Sequence, residues 1–144
     1  MADLTKDKLI DVQSVQNAKQ VDYPCAAGVL IPAGSNVGLN GTSGARQFQS
    51  GDVFAGVAKK KADNSKAGSA KGDVEVTVVS GRIERRAVTG ATEGDQGALV
   101  YASDGDVLTD TASAGDEAGV IVKHESGTTC LVEMFGPKEW RAEQ

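Results

Sequence analysis

Three aspartates, Asp104, Asp106 and Asp110, fall within seven residues around Gly105 in the stretch GALVYASDGDVLTD. Carboxylates at alternating positions beside a glycine are what a calcium loop uses. An EF-hand loop needs oxygen ligands at positions 1, 3 and 5, a glycine at 6 and a glutamate at 12. Counted from Asp104, position 5 is Leu108 and position 6 is Thr109. The spacing fails, so no metal is expected here. The same residues suit a turn: Asp-Gly between two β-rich runs predicts a type I′ hairpin, in which both central residues take positive φ.

Other reactive side chains are few. The single histidine, His124, lies in VIVKHESG, and Cys130 lies across an expected hairpin from it. That pair is the one arrangement suggesting a thiol nucleophile, but a cysteine among apolar strand neighbours reads as core. No Gly-x-Ser-x-Gly elbow occurs. A structural zinc site takes about four Cys or His ligands, and the chain has two cysteines and one histidine. Neither a phosphate-binding Gly-x-x-x-x-Gly-Lys-Ser/Thr loop nor a Gly-x-Gly-x-x-Gly fingerprint after a strand is present. These readings predict no enzyme, no cofactor and no metal. Cys25 and Cys130, both in apolar strand-like surroundings, are expected to be buried thiols and not a disulfide.

The elements that would carry these residues are short. Glycine occurs 18 times in 144 residues, well above the usual share of about 7%. Aromatics supply only six residues. A core of valine, alanine, leucine and isoleucine with frequent turns favours strands over long helices. Residues 1–20 are polar and lack glycine, and Leu4, Leu9, Val12 and Val15 make only a weak helical stripe. They read as an N-terminal arm before a β-domain at 21–136, with a tail at 137–144 holding Trp140. Within the domain, DVEVTVV turns at Ser80-Gly81 into RIERRAV, and ALVYAS turns at Asp104-Gly105 into DVLTD. GVIVKHE likewise turns at Ser126-Gly127 into TTCLVEMF. Each is two β-rich runs joined by an X-Gly pair, a hairpin signal. The expected fold is all-β, a compact antiparallel β-barrel or β-sandwich built from hairpins. KKKADNSKAGSAKG has no apolar period and predicts a mobile loop.

Charge is split along the chain. Residues 59–72 hold Lys59, Lys60, Lys61, Lys66 and Lys71 against Asp63, whereas residues 87–122 hold seven carboxylates and no lysine or arginine. If the two stretches lie on opposite flanks, protomers would associate head to tail into a ring, with Lys59, Lys60 and Lys61 meeting Asp104, Asp106 and Asp110. Arg82, Arg85 and Arg86 add a second basic cluster, but stacking aromatics are absent beside both. The formal net charge is −5, so no nucleic-acid partner is expected. No apolar run of about 18 residues and no secretory leader occurs, which predicts a cytoplasmically made chain with no membrane partner.

The order of elements resembles the head-decoration, or cement, proteins of tailed bacteriophages. The chain runs AAGVLIPAGSNVGL, GDVFAGVAKKKADN, KGDVEVTVVSGRIERRAV, TEGDQGALVYASDGDVLT and AGVIVKHESGTTCLVEMF. A strand closed by a glycine turn leads to a Gly-Val-Ala element. An alternating valine strand, a Leu-Val-Tyr strand after Gly-Asp-x-Gly, and a final Gly-Val hairpin follow. The likeness covers residues 21–136. It implies a virion protein, without enzyme activity, that binds the outside of an assembled capsid. Its partners would be the major capsid protein and further copies of itself, as a homotrimer. The arm departs most from the pattern, and its Leu4, Leu9, Ile10 and Val12 are the expected capsid contact. The alternative is a glycan- or receptor-binding β-domain of a phage fibre.

Overall fold

A computed structural model describes residues 19–112 and 116–137 of the chain. Leu4, Leu9, Ile10, Val12 and Trp140 lie outside the described residues. Among the described residues the chain is all-β. Its strands are β1 (Lys19–Pro24), β2 (Leu30–Ile31), β3 (Asn36–Leu39), β4 (Ala45–Gln47), β5 (Val53–Ala58) and β6 (Ala62–Asp63). They continue as β7 (Glu75–Ser80), β8 (Ile83–Thr89), β9 (Leu99–Ala102), β10 (Leu108–Thr109), β11 (Asp116–Ser126) and β12 (Thr129–Met134). A 3-10 turn covers Glu93–Asp95. Pro32 follows directly on β2, where its missing N–H ends the strand.

Strands β1-β7-β5-β3-β4, in that order, form an antiparallel sheet, and β10-β8-β12-β11-β9 close into a barrel. The barrel is antiparallel except where β10 runs parallel to β8, with Leu108 opposite Val88. The short ribbon β2–β6 stands apart. The central strands of the sheet are buried on both faces. On one, Phe48, Phe54, Val57 and Val79 meet Val88, Val100, Leu108, Ile121, Val132 and Met134 from inside the barrel. On the other, Val37, Ala55, Val76 and Val78 pack with Ile31 and Ala62 of the ribbon. Strand β5 serves both faces, which is why VFAGVA is continuously apolar and does not alternate. Phe48 and Phe54 pack edge to face, ring centres 6.3 Å apart at 62°. Cys25 and Cys130 are free and buried, in different clusters. Burial raises both thiols above their ordinary pKa, which disfavours the reactive thiolate.

Five expectations are corrected by the structure. Ser80-Gly81 joins no hairpin: β7 pairs with β1 and β5, whereas β8 pairs with β12 and β10. Here the chain crosses from sheet to barrel, with Gly81 N donating to Met134 O and Met134 N to Arg82 O. Asp104-Gly105 forms no I′ turn, because among the described residues no non-glycine has positive φ. Leu108 pairs with Ala102, leaving a five-residue loop at 103–107. Asp104 Oδ1 organises this loop by accepting from Asp106 N and Val107 N, both at 2.8 Å. The Ser126 hairpin is formed, but Ser126 pairs with Thr129, so Gly127-Thr128 makes the turn. Finally, the lysine-rich segment is tied down. Asn64, 2% exposed, donates its amide to Ala26 O at 2.9 Å and Ala70 O at 3.1 Å. A buried polar side chain with matched acceptors replaces the missing apolar period. Lys19 and Gln20, the last two residues of the expected arm, belong to β1 and pair with Ser80 and Val79.

Candidate functional site

Asn36 brings the acidic loop to the sheet. Fully buried at the start of β3, it donates its amide to Asp104 O and Val107 O at 3.0 and 3.3 Å. Its backbone N donates to Gly105 O at 2.8 Å, and its Oδ1 accepts from Arg86 Nη2 at 3.0 Å. Arg86 Nη2 also reaches Asp106 O at 3.4 Å. Burial lowers the Arg86 pKa, opposed by the charges of Glu84 and Asp106. A further tie between layers runs from Phe54 N to Asp116 Oδ2 at 2.9 Å. Asn36→Ala is expected to cost about 2 kcal/mol, because it strands two carbonyls and one guanidinium contact in a part-buried junction. Urea denaturation checks this, and an unchanged midpoint would show that water replaces the amide freely.

Asn36 also decides where the charges lie. It pairs with Val57, two residues before Lys59, so Asp104 and Asp106 share an end of the sheet with the start of the lysine run. An interface joining Lys59, Lys60 and Lys61 to Asp104 and Asp106 would pair them between copies of the chain; among the described residues no ion pair joins the two groups within one chain. Lys59 Nζ donates instead to Gln20 Oε1 at 2.9 Å, and Lys60 and Lys61 are exposed. Asp110 belongs to another junction, where its backbone N donates to Thr89 O at 3.1 Å beside Gly90. Among the described residues no three His, Cys, Asp or Glu side chains gather as a metal site would need. His124 does stand opposite Cys130 in the ladder. Its Nε2, however, lies 2.7 Å from Gly127 O, and Cys130 Sγ points at Thr128 O at 3.7 Å.

Sequence reasoning missed the barrel's outer wall. In the ladder Ile83 stands opposite Glu133, Glu133 opposite Val120, and Val120 opposite Leu99. Residues directly opposite share a face. Their neighbours Val132, Ile121 and Val100 are fully buried inside, so this row faces out. Ile83 is 45% exposed and Leu99 39%, and Val122, on a bulge between Ile121 and Lys123, is 49% exposed. Half-buried Leu131 extends the row along β12. Charges interrupt it: Glu133 stands between Ile83 and Val120, Leu131 stands between Arg85 and Lys123, and Arg85 Nε pairs with Glu125 at 2.6 Å. A solvated antiparallel face usually alternates to polar residues. Leu99, Val120 and Val122 break that alternation, a signal present in GALVYAS and GVIVKHE. The class defined by fold and surface is an all-β protein with a closed five-stranded barrel whose outer wall exposes Ile83, Leu99 and Val122. Comparisons of the chain with protein-family models, with curated proteins and with solved structures find no match.

Proposed function

We propose that this protein is a structural component of a phage virion, binding the outer surface of an assembled capsid and bridging its subunits. The observation that carries the reading is the group of apolar side chains on the barrel wall, Leu99, Val120 and Val122, with Ile83 beyond Glu133. Apolar area grouped on one outer face supports docking to another protein. The element order, which resembles phage cement proteins, supplies the partner class: the major capsid protein and further copies of the chain in a trimer. Two cores share the central sheet, so the wall is backed by packed residues and loses little entropy on docking. A protein that binds only the assembled shell stabilises it by mass action, by about 4 kcal/mol per site at a thousandfold excess over Kd. No chemical step is required.

The test uses capsids stripped of the protein. Leu99→Glu combined with Val122→Glu is expected to weaken binding by at least about tenfold and to leave the folding free energy within about 0.5 kcal/mol. Leu30→Glu, exposed on the ribbon and away from the wall, serves as the control and should bind normally. Equal capsid binding by the wall variant and the parent would remove the wall from the proposal. Binding to host cells or glycans with no binding to capsids would favour the fibre-domain alternative.

A further inference from the structure

The β3–β4 hairpin carries Asn40-Gly41 at its tip, and we propose that this pair is a site of spontaneous self-modification. Asn40 is half-buried and Gly41 exposed. Among the described residues the Asn40 side-chain amide and the Gly41 N–H make no hydrogen bond. The turn is held around them, with Asn40 N donating to Gly44 O and Ser43 N to Asn40 O. Gly41 has φ +53, and a Cβ placed on it would meet nothing within 4 Å. The Gly41 Cα therefore stands in open space, with no other part of the chain packed against the turn there.

In the reaction, Gly41 N attacks Asn40 Cγ. The new N–Cγ bond forms as Cγ–Nδ2 breaks, and Nδ2 leaves as ammonia with the proton lost from Gly41 N. A five-membered imide results. Water then opens either imide carbonyl, leaving at this position an aspartate or its isoaspartyl isomer, in which the chain runs through the side-chain carboxyl. Water is the only co-reactant. Each product adds one negative charge to a chain of net charge −5. A cation stands close by: Lys71 Nζ donates to Thr42 O at 2.6 Å. The other described asparagines are protected. Asn36 and Asn64 are buried with their amides donated to two carbonyls each, and neither precedes a glycine.

The experiment incubates the full chain in mildly alkaline buffer at physiological temperature, beside a synthetic peptide of residues 36–46. Ion exchange should resolve a more acidic species, and peptide mapping should place the change at Asn40 alone. Because exposed turns open at little cost, conversion should run within about tenfold of the peptide rate. Asn40→Gln, whose ring closure is disfavoured, should abolish the acidic species. An intact Asn40 when the peptide is consumed, or an acidic species that persists in Asn40→Gln, would overturn the proposal. Neither outcome bears on capsid binding.

Discussion

Gly56→Ala is expected to cost about 3 kcal/mol or more, although it adds one methyl group. Gly56 sits inside β5 with φ +134, and a Cβ there would lie 2.5 Å from Val79 O and 2.8 Å from Val78 Cγ1. The first of these atoms is backbone of β7, held by the pairing of Val57 with Val79, so it cannot retreat without opening the sheet. The position is also a register shift: Val37 pairs with Gly56, but Gly38 pairs with Phe54. That extra residue lets Phe54 and Val57 both reach the barrel while Ala55 and Ala58 face the other core. Calorimetry should show the midpoint falling by about 6–12 °C. Gly51→Ala is the matched control, having φ +95 but nothing within 4 Å of its Cβ. It should lose only the backbone-strain part, about 1 kcal/mol. Equal losses for the two variants would show that the β7 contact yields.

Asp52→Ala is the second large effect, expected at about 3 kcal/mol. The Asp52 side chain is 1% exposed and Arg46 is 25% exposed. The carboxylate accepts from Arg46 Nη2 at 2.8 Å and Nε at 3.0 Å, and from Gln49 N at 3.1 Å. Gly38 leaves the room it occupies, since a Cβ there would lie 2.5 Å from Asp52 Oδ2. Removing Arg46 strands the desolvated Asp52 carboxylate, and removing Asp52 takes away the buried anchor; either way a bidentate pair loses two charge-assisted bonds together. Arg46→Ala should cost at least as much, because it leaves the buried carboxylate with Gln49 N alone, and the double variant should cost clearly less than the sum. Strict additivity in that cycle would mean the pair is solvated in solution and the destabilisation arises elsewhere.

Much of the secondary structure is legible in the sequence. Alternation in EVTVVS, the apolar run VFAGVA and the Ser126-Gly127 signal are local properties of side-chain period and backbone freedom, and strands stand at all three places. The all-β class follows from the same patterns.

Partner choice is not legible in this way. Ser80-Gly81 has the residues of a hairpin, yet β7 and β8 enter different sheets, because each strand edge pairs with whichever edge buries its apolar face best. No local pattern encodes that comparison. The barrel wall illustrates the same division. That Leu99, Val120 and Val122 are apolar where alternation would place polar residues is written in the chain. That Ile83, Glu133, Val120 and Leu99 form one row depends on the register of three separate pairings. Likewise, the charge split is a fact of order along the chain. Only Asn36, buried and bonded to a loop 68 residues away, places Asp104 beside the lysine end, because long-range contacts are chosen by the summed burial and hydrogen bonding of the whole fold.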